Sequence, residues 1–315
     1  MRSLQSVVVV ALLGLSMAVG ACGPGSGESE FDGQPAETQI ESSVTGELSG
    51  TRLRLMTGNL SSGNGQNYNL GHGLRIFQGC KPDVALVQEF SYGTNSAADL
   101  RTFVNTGFGP SFSYVRGASG TLPNGIVSRY PIIASGDWDD TRVSNREFTW
   151  ARIDVPGKSD LWAVSVHLLT TSIGNRSAES AQLVKYIQDH VPAGDFVVIG
   201  GDFNVGSRTE NALGTFSKVA VTTGPWPVDR KGNDQTNAGR NKPFDWLLVS
   251  SNLSALSTAT VIGGSSFASG LVADTRVYSP IQDLAPALAS DSSAQAMQHM
   301  GVVRDFDLPA RAAMP

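Results

Sequence analysis

The sequence lacks the cysteines that a disulfide-stabilised fold needs. Its 315 residues contain two cysteines, Cys22 and Cys80. If Cys22 lies in a processed N-terminal segment, Cys80 has no partner within the chain, and the fold of an exported protein must depend on its hydrophobic core. Cys80 is then interpreted as a small apolar packing residue. Residues 51–300 show neither an internal repeat nor a change in composition, which favours one large domain.

The chain also lacks an excess of positive charge. It has 23 Lys and Arg residues against 28 Asp and Glu residues. Six of the acidic residues lie within residues 23–50, so residues 51–315 are neutral overall. No strong field therefore attracts a polyanionic partner. A local basic patch remains compatible with this balance.

The N-terminus predicts export. Residues 1–22 contain one positive charge, an apolar run over residues 7–15 and small residues before Cys22. The run is too short to span a bilayer and fits a signal peptide. The last four residues resemble a bacterial lipobox, which predicts lipidation of Cys22 and anchoring to a bacterial membrane or the cell surface. The alternative is an ordinary secretory signal that is cut near Ala21, which would release the protein.

Residues 23–50 contain no basic residue and many Gly, Ser and Pro residues. Such a segment cannot bury enough apolar surface to fold and is predicted to be a disordered acidic tether. The folded domain is therefore predicted to occupy residues 51–315.

Short apolar segments separated by turns dominate that domain. The predicted strands are residues 52–60, 83–90, 113–117, 125–130, 148–155, 161–168, 195–203, 243–250, 259–264 and 300–308. The predicted helices are residues 68–79, 95–106 and 175–190. This interleaved order predicts an α+β fold in which paired sheets are covered by helices.

The stretch DFVVIGGDFNV, residues 195–205, carries polar residues at the end of an apolar strand. Asp202 and Asn204 are two residues apart and therefore share one face of an extended chain. One interpretation is an Asx turn that closes the strand. The other is a catalytic carboxylate with a positioning amide.

Similar polar side chains end several other predicted strands. They are Asn59, Gln88, Glu89, His167, Asp245 and His299. Carboxylates and amides are typical ligands of hard divalent cations. Groups on strand ends that meet at one edge of a packed sheet are held by a rigid scaffold.

The order of these motifs resembles the endonuclease/exonuclease/phosphatase superfamily, which includes deoxyribonuclease I and bacterial sphingomyelinase. The matching segments are TGNL, VQEF, SVHL, GGDFNV, FDWLLV and MQHMGVV, with NGIVSRYPI at residues 124–132. The resemblance implies a four-layer α/β/β/α sandwich of two packed sheets flanked by helices. It also implies metal-dependent hydrolysis of phosphodiesters, or of phosphomonoesters.

The resemblance assigns a role to each strand-end residue. It implies that Glu89 is the principal metal ligand and that Asn59 helps to hold metal or phosphate. Asp202, beside Asn204, would orient or deprotonate the attacking water. The remaining roles are donation to the phosphate or leaving group by His167, contact with the phosphate by His299, and fixing of the His299 ring by Asp245.

One position departs from the family pattern. Gln298 stands where the family has an aspartate before His299. An amide oxygen can ligate a metal but brings no charge, so Mg²⁺ binding should be weaker and the preference among Mg²⁺, Mn²⁺ and Ca²⁺ should change. An alternative is a surface binding module that kept the fold and lost turnover.

The predicted substrate is extracellular nucleic acid, which would make the chain a surface nuclease. The polar segment 230–246, with Arg230, Lys231, Arg240 and Lys242, could contact phosphates or be a solvated loop. The alternative substrate is a phospholipid or sphingomyelin headgroup. Residues 263–284 have too few large apolar side chains to enter a membrane convincingly, so membrane contact is expected only through the lipid on Cys22, with the chain acting as a monomer.

Overall fold

A computed structural model describes residues 50–118 and 120–310. The predicted signal peptide, the lipidation site Cys22 and all but the last residue of the predicted tether lie outside the described residues. Within the described part of the chain, no helix has both the length and the apolar character needed to cross a membrane.

The described residues form fourteen strands, and ten of them coincide with the predicted strands apart from their bounds. In chain order they are β1 (Thr51–Gly58), β2 (Val84–Val87), β3 (Ser113–Arg116), β4 (Gly125–Ser128), β5 (Ile132–Trp138), β6 (Phe148–Ile153), β7 (Leu161–His167), β8 (Phe196–Asp202), β9 (Asp245–Val249), β10 (Ser257–Thr258), β11 (Thr260–Ile262), β12 (Ser265–Phe267), β13 (Leu271–Ala273) and β14 (Gly301–Leu308).

Five helices and two 3₁₀ turns connect these strands. The helices are α1 (His72–Cys80), α2 (Ala97–Gly107), α3 (Ile173–His190), α4 (Asn211–Phe216) and α5 (Ser251–Ser254), and the 3₁₀ turns are Ile281–Leu284 and Asp291–Ser293. The side chains of Ser96 and Ser172 cap α2 and α3 by accepting hydrogen bonds from backbone N–H groups of the first turn. The three predicted helices are therefore all present.

The strands build two mixed sheets and a small hairpin. The first sheet has the order β10-β14-β1-β2-β4-β3, with β13 also paired to β14. The second has the order β5-β6-β7-β8-β9, and β11 pairs with β12 in the hairpin. In each sheet two neighbouring strands are parallel, β1 with β2 and β7 with β8. Their carboxyl ends are therefore at the same edge of the sheet.

Three hydrophobic clusters separate four layers. The cluster between the sheets contains Leu55, Val198 and Phe306. A second cluster packs α1 and α2 on the first sheet through residues such as Phe77, and a third packs α3 on the second sheet through residues such as Leu183. This arrangement confirms the α/β/β/α sandwich.

Some boundaries differ from the predictions for local reasons. Strand β2 ends at Val87, because Glu89 adopts a left-handed backbone with φ of 51°. Strand β5, Ile132–Trp138, was not among the predicted strands, because this edge strand lacks a regular alternation of apolar and polar residues. Cys80 is buried and unpaired, which confirms its packing role, and burial raises the pKa of its thiol to about 12.

Candidate active site

The polar residues predicted at strand ends meet at one edge of the sandwich. In the second sheet, His167, Asp202 and Asp245 are aligned in one row across β7, β8 and β9. In the first sheet, Asn59 and Glu89 follow the carboxyl ends of the parallel pair β1 and β2. Because β7 and β8 end at this edge and β9 begins there, side chains that are distant in sequence lie within one site.

Asp202 is at the centre of this group. Its Oδ2 lies 3.3 Å from Nε2 of His167, 3.2 Å from Nε2 of His299 and 3.3 Å from Nδ2 of Asn59. The Asp202 side chain is almost completely buried. Burial raises the pKa of Asp202 to about 6, against the opposing influence of His299. A carboxylate with such a pKa can exchange a proton near neutral pH.

His299 is held between two carboxylates. Its Nδ1 lies 3.1 Å from Oδ2 of Asp245, and its Nε2 faces Asp202. The hydroxyl of Thr236 accepts the backbone N–H of Asp245 at 2.7 Å and fixes the start of β9. Burial acts to lower the pKa of His299, but Asp202 and Asp245 outweigh it and raise the pKa to about 10. His299 is therefore a cation at neutral pH, with both ring N–H groups donating.

The surroundings of His167 favour its neutral form, in contrast to those of His299. Burial, and then the positive charges of Arg146 and His299, hold its pKa well below the ordinary histidine value. A neutral His167 that donates from Nε2 to Asp202 has Nδ1 as an acceptor, and this atom is buried with no hydrogen-bond partner among the described residues. The site thus pairs one neutral and one cationic histidine on the same carboxylate.

The GGDFNV segment forms the predicted Asx turn and leaves one oxygen of Asp202 facing the site, where its catalytic role stays a prediction. Oδ1 of Asp202 accepts the backbone N–H of Asn204 at 2.9 Å, which is an Asx turn, while Oδ2 faces the histidines. Asn204 has φ of 51°, a left-handed conformation that asparagine tolerates, and its Nδ2 donates to the carbonyl of Leu168 at 3.0 Å. The turn therefore fixes the orientation of the carboxylate.

Glu89 forms a second acidic centre beside Asp202. Its Oε1 accepts from Nδ2 of Asn59 at 3.2 Å, and its Oε2 accepts from the hydroxyl of Ser61 at 2.5 Å. Because Asn59 also contacts Asp202, it connects the two carboxylates. Ser61 was not predicted from the sequence, because a serine three residues after a strand has no distinguishing pattern.

The residues around Glu89 fit a hard divalent cation. Carboxylate, amide and hydroxyl oxygens of Glu89, Asn59 and Ser61 are the donor types that Mg²⁺, Mn²⁺ and Ca²⁺ prefer. Atoms of Asp202, Asp245 and His299 also lie within 4.8 Å of one another, as in a metal site. The structure therefore offers two adjacent donor groups for a divalent cation, one at Glu89 and one at Asp202, Asp245 and His299.

The assignment of Gln298 to the metal stays a prediction. Its side chain is exposed, and its backbone carbonyl accepts the N–H of Ala238 at 2.7 Å. His299, the next residue, points the other way into the buried site. Glu89 is the carboxylate that the resemblance assigns to the metal, and that role also stays a prediction.

Arg146 is a site residue that the sequence did not reveal. Its guanidinium is buried and donates to the backbone carbonyls of His167 and, at 3.1 Å, of Leu168. These bonds hold the chain where β7 ends and place a positive charge behind His167. A single arginine before β6 has no pattern that would separate it from an exposed one.

The basic residues of segment 230–246 divide into two groups. Arg240 is an internal structural residue that pairs with Asp229 and Asp274. Lys242 is exposed, with Nζ 5.7 Å from the centre of the Phe244 ring, and that ring lies 5.8 Å from the His299 ring. Arg230 and Lys231 are exposed as well, and Lys242 is the exposed residue that these ring contacts place beside His299.

Comparison with known proteins agrees with the fold described above. The model of the endonuclease/exonuclease/phosphatase family matches residues 65–291, more than two thirds of the chain. No curated protein sequence matches it at a significant level.

Solved structures resemble the chain in fold at low identity. An endonuclease/exonuclease/phosphatase from Bacteroides vulgatus has 17% identity and a TM-score of 0.56, covering 82% of this chain and 99% of its own. One from Beutenbergia cavernae has 17% identity and a TM-score of 0.54, covering 82% and 72%. Sphingomyelinase C from Streptomyces griseocarneus has 15% identity and a TM-score of 0.51, covering 82% and 100%. With the family model matched over most of the folded part, the chain belongs to the endonuclease/exonuclease/phosphatase family, whose members hydrolyse phosphoric esters and generally use a divalent metal.

Proposed function

We propose that this chain is a metal-dependent phosphodiesterase, and that its substrate is nucleic acid. The main observation behind the proposal is the placement of Asp202 within 3.3 Å of two histidines, His167, which is neutral, and His299, which is protonated. A retired binding module would have no need for a proton-exchanging carboxylate between a neutral and a cationic imidazole.

The chemistry requires a base, charge stabilisation and a proton donor. A phosphodiester is an anion that repels an attacking hydroxide, so the developing charge must be neutralised. Asp202 accepts the proton of the attacking water through Oδ2. His299, kept protonated by Asp245, places a positive charge beside the developing charge of the phosphoryl oxygens, which is electrostatic stabilisation by a preorganised group. The Nε2–H of His167, which Asp202 accepts in the free site, becomes the neutral donor for the phosphate or the leaving oxygen once Asp202 has taken the proton of the water.

Glu89, Asn59 and Ser61 would hold the divalent cation. When bound, the cation supplies Lewis-acid charge neutralisation and orients the phosphate oxygens. The chain's contribution is to keep Glu89 in a left-handed turn, with its two oxygens directed by Asn59 and Ser61.

Two cations support a polymeric phosphate substrate. Nε of Arg116 donates to the carbonyl of Phe90 at 2.7 Å, directly after Glu89. Lys242 lies beside Phe244 and His299. Within the described residues neither Arg116 nor Lys242 forms an ion pair, so both are available for phosphates that flank the scissile one.

The exposed apolar residues give less support to a lipid substrate. The large hydrophobic side chains that are exposed in the described part of the chain are Leu70, Ile133, Ile173, Val261 and Leu288. They are all aliphatic, whereas side chains at membrane interfaces are enriched in Trp and Tyr. We further propose that the chain is exported and attached to the membrane through a lipid on Cys22, so that it meets nucleic acid outside the cell.

The decisive experiment follows cleavage of plasmid DNA and of bis(p-nitrophenyl) phosphate with Mg²⁺, Mn²⁺, Ca²⁺ or EDTA. We expect metal-dependent cleavage of both substrates by the wild type and none by Asp202→Asn. Asp307→Asn, an exposed aspartate of β14, is the matched control and should keep full activity. Cleavage of the small ester alone would point to a lipid headgroup or another small substrate. No cleavage by a folded protein would identify a binding module.

A further inference from the structure

A cavity beside the edge strand β9 contains a positive charge that nothing in the described structure neutralises. Its volume is about 260 Å³, enough for roughly eight water molecules at about 30 Å³ each. Asp245 and Thr236 are the lining residues that it shares with the active site. Its walls include the indole rings of Trp226 and Trp246 and the ring of Pro225. Most of the enclosed space is therefore apolar.

Arg304 supplies the unneutralised charge. It lies on β14 with its side chain on the same face as Val302 and Phe306, toward the space between the two sheets. Its guanidinium donates to the carbonyl of Leu247 at 3.1 Å and to the hydroxyl of Ser257 at 3.2 Å. No carboxylate in the described part of the chain lies within ion-pair distance of it, and burial lowers its pKa to about 10.

The Arg304 side chain is half-buried, so part of its desolvation cost is not repaid by an opposite charge. The two hydrogen bonds use only part of the five N–H donors of Arg304. An anionic group in the cavity would remove this cost. The other charges there are already matched, since Arg208 pairs with Asp234 at 3.1 Å and Asp245 pairs with His299.

Further donors in the lining lack acceptors. Nε of Arg208 and Nε1 of Trp226 are buried and have no hydrogen-bond partner among the described residues. The guanidinium carbon of Arg208 lies 4.4 Å from the centre of the Trp226 ring, so both donors belong to one stacked pair. Acceptor oxygens near this pair would satisfy them, as well as Arg304.

We propose that this cavity binds a small organic anion with one negatively charged oxygen group and a compact apolar body. The charged group pairs with Arg304, and the apolar body occupies the space between the indole and prolyl rings. A carboxylate and a phosphate monoester share this chemistry. The site differs from the catalytic centre, because Arg304 and Trp226 contact none of the catalytic side chains described above.

Calorimetric titration of the purified protein with 1-naphthoate tests the proposal, with the neutral analogue 1-naphthylmethanol and inorganic phosphate as companion probes. We expect 1-naphthoate to bind at one site and the neutral analogue to bind at least about tenfold more weakly, since a charge-assisted hydrogen bond is worth that much or more. Inorganic phosphate, which lacks the apolar body, should compete poorly. Failure of the wild type to bind 1-naphthoate would overturn the proposal.

Arg304→Met removes the charge and keeps an apolar stem. We expect about tenfold or greater loss of 1-naphthoate affinity, an unchanged or raised melting temperature, and unchanged hydrolysis of bis(p-nitrophenyl) phosphate. Arg52→Met, at an exposed arginine of β1, is the matched control and should bind as the wild type does. Equal binding by Arg304→Met and the wild type would disprove the site.

Two further variants keep the test independent of folding at Arg304. Ala268→Trp fills the cavity from an exposed position in its lining and should abolish binding. His299→Gln should leave 1-naphthoate binding intact. Binding that is lost in His299→Gln and retained in Ala268→Trp would mean that the anion occupies the catalytic centre, against the proposal.

Discussion

The histidine at position 299 is where a single residue is expected to matter most for turnover. It is buried, protonated and bonded to Asp245, so His299→Gln removes a positive charge from beside the phosphate position. Because both ring N–H groups already face carboxylates, what the substitution removes is the positive charge, and we expect kcat for bis(p-nitrophenyl) phosphate to fall roughly a hundredfold or more. His190→Gln is the matched control, because His190 is exposed and its contacts, with the Tyr186 carbonyl and the Trp138 ring, lie at the end of α3 outside the site. Similar losses in both variants would refute a specific role for His299.

The pH dependence of activity should report the pair formed by Asp202 and His299. Asp202, with a pKa of about 6, must lose its proton to act as a base, so kcat/KM should rise as pH increases through about 6. His299, with a pKa of about 10, must keep its proton, so kcat/KM should fall as pH increases through about 10. A bound cation near Asp202 would move the acidic limb to lower pH.

Asp245→Asn isolates the cause of the alkaline limb. Asp245 is one of the two carboxylates that raise the pKa of His299. Removal of its charge should move the alkaline limb of kcat/KM to lower pH, and it should also move the acidic limb to lower pH because Asp245 helps to raise the pKa of Asp202. Profiles of the wild type and of Asp245→Asn, measured with the same metal, check this. An alkaline limb at the same pH in both would show that another group titrates there.

The sequence could reveal a site residue only where that residue belongs to a recognisable local pattern. Asp202, His167 and Asp245 end predicted strands, so the sequence indicated both their identity and their common edge. Ser61 and Arg146 act through contacts with Glu89 and with the His167 carbonyl, which no local pattern encodes. The charge states of the histidines also depend on burial and on neighbours distant in sequence.

At the scale of elements, the buried carboxylate of Glu179 connects α3 to the chain segment that follows β7. Both carboxylate oxygens of Glu179 lie within 3.1 Å of the Leu169 N–H, next to the carbonyls that Arg146 holds. Burial, and then Asp140, raise the pKa of Glu179 to about 8. The folded protein therefore holds a proton that the unfolded chain, with an ordinary pKa near 4.5, releases.

Stability should consequently fall as pH rises from about 4.5 through about 8, because the folded state binds more protons there. Glu179→Gln imitates the protonated acid, since its amide can donate to Asp140 and accept from Leu169. We expect denaturant unfolding to show a weaker pH dependence for this variant and greater stability than the wild type at about pH 9. Glu210→Gln is the control of opposite sign, because it breaks the buried pair with Arg176 and should destabilise. A wild type whose stability is flat over this range would contradict the argument.

The elements themselves were largely predictable, and their exceptions have physical reasons. Strands with continuous apolar runs, such as β7 and β8, were predicted within one or two residues. The edge strand β5 was missed because three consecutive positions, residues 133–135, are exposed and break the alternation of buried and exposed residues. Short strands such as β13 contain three residues and pair only because β14 is already in place.

At the scale of the whole molecule, the two sheets must be held in one alignment for the site to exist. Gln88 on the first sheet donates to the hydroxyl of Ser165 on the second at 2.9 Å, and that hydroxyl donates back to the carbonyl of Val87 at 3.1 Å. These buried bonds lie directly beneath Glu89. The sequence identified Gln88 as unusual, but its partner across the interface follows only from the packing of the sheets.

The folded part of the chain has no net charge, so its binding of a polyanion must depend on a few local cations. Arg116→Gln and Lys242→Gln should lower kcat/KM for plasmid DNA several-fold each and leave hydrolysis of bis(p-nitrophenyl) phosphate unchanged, since the small ester has no flanking phosphates. The slope of log kcat/KM against log salt for DNA should become shallower by about one for each contact removed. Lys185→Gln, which removes an exposed charge from α3 away from the site, should change neither quantity. Equal losses on both substrates would mean that Arg116 and Lys242 support the catalytic centre rather than the polymer, and an effect on neither would remove the structural argument for nucleic acid.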